Sequence, residues 1–190
     1  MADKLTELGA RIVHTDPDVG GLHEHYQRLF FATASMMVQD WDETARAQLD
    51  PGLREVAERY SRLSALDYME SDSARVDLMH RMSFFHLDYD LILCPTAPVR
   101  PFDVGREVPS GWPEPRWTSW ALFTWPWNMS GQPAISIPCG FTRDGLPIGA
   151  QLIGARHQDS LVLRVAQAFQ QISPLTDRRP PMITTQCDRL

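Results

Sequence analysis

Six prolines and two glycines fall within residues 95–117, PTAPVRPFDVGREVPSGWPEPRW, and this stretch limits the fold more than any other. Proline has no backbone N–H to give, so the segment forms neither a regular helix nor a central strand. An irregular segment of this length is usually functional or a linker.

Residues 3–9 read as a short helix stopped by Gly9, and RIVH (11–14) as a strand. Over 22–39 the residues Leu22, Tyr26, Leu29, Phe30, Thr33 and Met37 recur at three and four, which predicts a helix. Asp50-Pro51 is an N-cap with proline in the first turn, and Leu53, Val56, Ala57, Tyr60 and Leu63 continue that helix on one face. Ser64-Ala65-Leu66-Asp67 has capping-box spacing and opens a helix running to about Leu87. DLILCP (90–95) reads as a short buried strand closed by proline. Residues 134–139 alternate as a strand, RDG (143–145) turns, and 148–153 returns as its hairpin partner. Asp159 is the expected N-cap of a last helix carrying Val162, Val165, Phe169 and Ile172, with an irregular tail from Ser173. Helices and strands mix throughout, which predicts an α/β sheet with helices on its faces.

Charge narrows the partners. The formal net charge is −6 with no basic block, so a nucleic-acid footprint is not expected, because phosphate neutralisation needs concentrated positive charge. Apolar residues at 43% and charged residues at 22% are ordinary for a soluble globular chain. The first eighteen residues, MADKLTELGARIVHTDPD, lack a continuous apolar run, and no segment reaches transmembrane length. The expectation is a soluble cytoplasmic protein without a membrane partner. Cys94, Cys139 and Cys187 are odd in number and far apart, which suggests neither a disulfide framework nor a zinc knuckle.

Nucleophiles are the central question, and NMSGQPAISIPCGF (128–141) offers three. A serine hydroxyl is weak until a lysine or histidine takes its proton. Ser130 lies in NMSGQ, outside the strand–elbow–helix setting of G-x-S-x-G. Ser136, between Ile135 and Ile137, has the position of a sheet residue facing away from the apolar side. Cys139 has no identifiable base and reads as a small apolar residue. All three read as scaffold. His23 and His25, two apart on a helix, point in different directions rather than converging on an ion. The glycines at 140, 145, 149 and 154 open no helix in a phosphate-loop pattern.

The chain resembles the C-terminal part of the amidase signature family, which includes aryl-acylamidases and the amidotransferase A subunits that act on charged tRNA. Three segments carry the likeness in the right order. YDLILCPTAPVRPF (89–102) resembles the family's strand and Pro-Thr, and FTWPWNMSGQPAISIPCGF (123–141) its Asn-x-x-Gly-x-Pro-Ala run. GLPIGAQLIG (145–154) with DSLVLRVAQAFQ (159–170) resembles its closing strand and last helix. LTELGARIV (5–13) and LSALDYMESDSAR (63–75) are weaker likenesses.

The resemblance implies an α/β/α fold around a mixed sheet flanked by helices, and hydrolysis of a carboxylic amide with neither metal nor cofactor. It implies a serine nucleophile, a bridging serine in a cis peptide and a lysine, with backbone N–H groups as the oxyanion hole. None of these carries over. No two serines are adjacent here, and the only lysine, Lys4, lies where the family has an ordinary surface helix. The expectation is therefore that residues 1–190 are the C-terminal part of one incomplete amidase domain, with its N-terminal half missing, no catalytic residue and no activity alone. Such a chain would expose unpaired sheet edges and fold poorly without a partner.

In the family this half contributes part of the acyl-side pocket wall. Here Trp120, Phe123, Thr124, Trp125 and Trp127 are the candidates, and wide rings suit an apolar or aryl group better than a charged one. Two readings of these residues stand side by side: a substrate wall, or packing against the missing half or a partner chain. For the chain as a whole, the alternative to an amidase portion acting on a small-molecule amide is a non-catalytic binding or interaction module.

Overall fold

Asp50 and Ser64 start helices where their neighbours predict. In the computed structural model, which describes residues 1–175, the Asp50 carboxylate accepts from the N–H groups of Gly52 and Leu53 at 2.9 and 3.1 Å. The Ser64 hydroxyl accepts from the Asp67 N–H, and the Asp67 carboxylate accepts from the Ser64 N–H, which completes the reciprocal box. In chain order the elements are α1 (Ala2–Glu7), α2 (His23–Val38), α3 (Glu43–Arg46), α4 (Pro51–Tyr60), α5 (Ala65–Phe85), β1 (Leu91–Pro95), α6 (Trp125–Ser130), β2 (Ala134–Phe141), β3 (Pro147–Gly154) and α7 (Asp159–Ile172), with a 3₁₀ turn at Trp117–Ser119. No helix among the described residues is long and apolar enough to cross a membrane.

The chain divides into two compact units. The first gathers Met1–Asp16, His86–Ala97 and the described residues from Gln132 onward. Its sheet has the order β1-β3-β2, and both pairings are antiparallel. The register sets Leu93, Leu152 and Ile135 in one row and Cys94, Gln151 and Ser136 in the next. Alternation sends the first row to the core face, where Leu152 and Ile137 meet Leu5 of α1 and Ala166 and Phe169 of α7. Pro95 and Pro138 both lie on outer strands, where a missing N–H costs no ladder bond. A bulge between Pro138 and Gly140 leaves Cys139 against the core.

The second unit comprises Pro17–Phe85 and Pro98–Gly131. Helix α2 packs on α4 and α5, and α5 on α6. Tyr26, Phe31 and Val38 of α2, with Val56 and Ala57 of α4 and Leu78 and Met82 of α5, are buried. The proline-rich stretch carries no α-helix, and its strand content ends with Pro95 of β1; its one regular turn begins at Trp117.

Three sequence expectations fail: α4 ends at Tyr60 with Ser61 as its C-cap, so Leu63 lies beyond it, and two others concern residues 11–14 and Asp159. Residues 11–14 are not a strand: among the described residues no neighbouring strand offers them a ladder, and Ile12 and Val13 are exposed. The N-cap of α7 is Gln158, and Asp159 sits one position inside, where its charge still faces the positive helix end. Most of the tail, and Cys187, lie outside the described residues.

Candidate functional site

The aromatic run folds onto α2. Tyr26 stacks on Trp125 with ring centroids 5.2 Å apart, and His23 stacks on the same indole at 6.0 Å. Phe30 meets Trp117 edge-on at 5.6 Å, and Phe102 meets Trp120 edge-on at 5.9 Å. Helical spacing places His23, Tyr26 and Phe30 on one face, so a single surface of α2 organises two of the tryptophans.

Burial sorts the five candidate residues. Trp125 and Trp127 are 5% and 4% exposed and form part of the unit's core, whereas Trp120, Phe123 and Thr124 are half-buried. Their polar groups are committed internally. Trp120 Nε1 donates to the Glu107 carbonyl at 3.0 Å, Trp125 Nε1 to Thr118 O at 3.2 Å and Trp127 Nε1 to Phe123 O at 2.7 Å. The Thr124 hydroxyl donates to Ala121 O at 2.9 Å. What remains for a ligand is ring face and edge, which suits apolar or aromatic contact.

Gly131 closes α6 in the left-handed conformation at φ 69°, and its N–H reaches Trp127 O. A side chain there would be strained, so the glycine of the Asn-x-x-Gly run shapes the turn that ends the helix.

Thr118, fully buried, links the cluster. Its hydroxyl oxygen accepts from Gln27 Nε2 at 2.9 Å and lies 3.0 Å from His23 Nε2. Burial pushes the His23 imidazole below its usual range, partly opposed by the Glu114 carboxylate. Burial also pushes the Tyr26 phenol up to about 12.

Each candidate nucleophile has its own surroundings. Ser130 is fully buried, with its hydroxyl 3.4 Å from Trp127 O. Ser136 is exposed on the sheet face away from Ile137, paired with the Thr96 hydroxyl at 2.7 Å above Gly149. Cys139 is half-buried against the core, and burial pushes the Cys94 thiol up, slightly offset by the Gln151 amide. Lys4 Nζ donates to the Ile172 carbonyl at the end of α7. His23 and His25 diverge, toward Thr118 and Ser71 respectively.

The His25–Ser71 contact, 3.2 Å from Nδ1 to Oγ, is invisible in the sequence because the two lie on different helices. It resembles a catalytic dyad only in its residue types. Ser71 is fully buried and donates its proton to Asp67 O, so His25 donates to the serine rather than activating it. Two surface recesses of the same unit, of about 480 Å³ beside Trp41 and Gln48 and about 490 Å³ beside His25 and Arg81, are lined by no serine or cysteine.

Comparison with known proteins gives this arrangement its context. Residues 1–163 match the family profile described as Amidase. The chain is 34% identical over 182 residues to an acylamidase of Rhodococcus erythropolis, covering 92% of this chain and 38% of that protein. It is 38% identical over 116 residues to the A subunit of the glutamyl-tRNA(Gln) amidotransferase from Brevibacillus brevis, covering 61% of this chain and 23% of the other. Its fold superposes on 6-aminohexanoate cyclic dimer hydrolase with a TM-score of 0.83 at 22% identity, covering 96% of this chain and 41% of that one. A bacterial aryl acylamidase of the amidase signature family superposes with a TM-score of 0.79 at 25% identity, covering 94% and 41%. The chain thus spans about two fifths of the length of the acylamidase and of these two structures.

Proposed function

The chain belongs to the amidase family, and on that premise we propose that it is the substrate-wall portion of a hydrolase of carboxylic amides. In this reading both units are parts of one amidase domain, and Trp120, Phe123, Thr124, Trp125 and Trp127 build the wall that receives an aryl or alkyl group. Trp125 and Trp127 form its buried backing, and Trp120, Phe123 and Thr124 its reachable surface. The observation that carries this is the internal commitment of the wall's polar donors, from Trp120 Nε1 through Thr124 Oγ1 to Trp127 Nε1. A wall whose donors are all engaged discriminates by apolar contact, and it offers nothing to a charged amino-acid group.

Bond breaking falls to groups the chain does not assemble. Lys4 is bonded to Ile172 O, Ser130 is buried, and Ser136 is paired with Thr96 rather than with a base. A serine without an adjacent base is a poor nucleophile, so the 190-residue chain alone is inactive and acts with a complementary segment or partner chain that brings nucleophile and base. The test is an assay of the purified chain on 4-nitroacetanilide and on acetamide. The expected result is no turnover above the uncatalysed rate on either; sustained turnover that survives repurification overturns the proposal. Saturable binding of acetanilide without turnover supports the wall.

A further inference from the structure

The proline-rich loop is clipped in place by one carboxylate. Glu107 accepts from Arg116 Nη1 at 2.9 Å through one oxygen and from the Trp117 N–H at 3.2 Å through the other. Its backbone carbonyl accepts from Trp120 Nε1 at 3.0 Å. A single residue therefore holds the backbone of one tryptophan and the indole of another. Arg116 completes the clip by reaching Glu55 on α4 with its other terminal nitrogen. Ser119 donates to the Arg116 carbonyl at 2.7 Å and accepts from Trp112 Nε1 at 2.8 Å, which ties a third tryptophan to the same turn.

The seat for this clip is built into α4. A Cβ on Gly52 would lie 2.9 Å from Arg116 Nη1 and 3.3 Å from Glu107 Oε2, so a glycine in the helix's first turn leaves the space that the ion pair occupies. The Arg116 side chain is only 18% exposed. Burial opposes its charge, but the Glu55 and Glu107 carboxylates outweigh that effect and hold it charged beyond the ordinary arginine range. The planar guanidinium fork suits two carboxylates in different directions, which a lysine ammonium on a flexible stem matches less well.

We propose that Glu107 and Arg116 are specificity-determining positioning residues: their side chains anchor the loop whose Glu107 carbonyl holds Trp120 Nε1, and so orient the Trp120 ring in the wall to favour aryl over small polar amides. The proposal rests on the wall reading above. It separates from a plain loop clip because it ties the ion pair to ligand choice. Glu107→Ala removes both side-chain acceptors, whereas Glu107→Gln keeps an acceptor for the Trp117 N–H and serves as the conservative rescue.

The experiment uses the full 190-residue chain with intrinsic tryptophan fluorescence. Acetanilide and acetamide are the ligand probes, acrylamide is the accessibility probe, and far-UV circular dichroism controls for folding. Wild type is expected to respond saturably to acetanilide and not to acetamide. Glu107→Ala is expected to weaken acetanilide binding about tenfold with unchanged circular dichroism and steeper acrylamide quenching, and Glu107→Gln, which keeps an acceptor for the Trp117 N–H but loses the ion pair, to recover only part of that loss. If Glu107→Ala does not fold, Arg116→Lys takes its place, with the same direction expected. Unchanged acrylamide quenching overturns the proposal whether or not acetanilide binds. Steeper quenching with unchanged acetanilide affinity overturns the role in specificity. A wild type that ignores acetanilide while the variant shows steeper quenching overturns the wall reading, and the specificity role with it, leaving Glu107 a loop clip.

Discussion

Gln132 donates its side-chain amide to Nε2 of His86 at 2.8 Å, while Nδ1 of the same ring lies 2.8 Å from the Tyr89 carbonyl. A carbonyl only accepts, so the proton sits on Nδ1 and the Gln132 amide meets an unprotonated Nε2. The same amide also donates to Gly154 O at 2.9 Å, which joins the entry to β1 and the end of β3 through one buried side chain.

Gln132→Glu places a carboxylate against two acceptors, one of them a backbone carbonyl. The variant is expected to lose about 1–3 kcal/mol, the cost of unsatisfied buried polar groups. Urea denaturation followed by circular dichroism reads this directly, and a midpoint equal to wild type counts against the assigned tautomer.

Gly52→Ala should stabilise an ordinary helix by about 1 kcal/mol. Here the new methyl meets Arg116 Nη1 at 2.9 Å, so no net gain is expected. In an Arg116→Ala background the same change recovers part of that effect of about 1 kcal/mol, since Asp50 Oδ1 still lies 3.1 Å from the new Cβ. A double-mutant cycle of urea midpoints measures the difference, and strict additivity contradicts the seat described for the ion pair.

Trp125 and Trp120 differ in what they hold. Trp125→Ala removes a buried ring stacked on Tyr26 and is expected to cost about 3–5 kcal/mol. Trp120→Ala, at a half-buried ring, is expected to cost markedly less while removing acetanilide binding. Thermal melts beside fluorescence titrations distinguish the two, and equal destabilisation contradicts this division of the wall into backing and surface.

His23 gives the second unit a pH dependence of definite sign. Its folded pKa is depressed, so the unfolded chain binds the proton more readily than the native one. The contribution of His23 is constant above its unfolded value of 6.5, declines as pH falls through that value, and levels off below the depressed folded value. The expected outcome is a urea midpoint that falls between pH 7.5 and pH 5.5, with a smaller fall in His23→Gln, measured by parallel denaturation at about these two pH values.

Local signals in the chain are readable because their physics is local. The Asp50-Pro51 cap, the Ser64–Asp67 box and the hairpin about residues 143–145 each depend on side chains within a few positions of one another. RIVH misleads for the complementary reason: β-branched residues favour a strand only where a second strand lies alongside, and none does among the described residues. The aromatic cluster is visible in the sequence as composition but not as geometry. Nothing in the order of residues separates buried Trp125 and Trp127 from half-buried Trp120, because burial depends on α2 arriving from about a hundred positions away. The clip is hidden more deeply still, since Glu55 and Arg116 are 61 positions apart and their pairing depends on the space that Gly52 leaves.

The order β1-β3-β2 puts the last of the described strands in the middle of the sheet. Neither β1 nor β2 has its ladder partner until β3 has been made, so on the ribosome the sheet stays open while residues 23–85 have long since emerged as helices. A nascent chain paused before residue 147 carries β1 and β2 without the strand that joins them here. Among the described strands, closing of this sheet therefore waits for the eight residues of one strand.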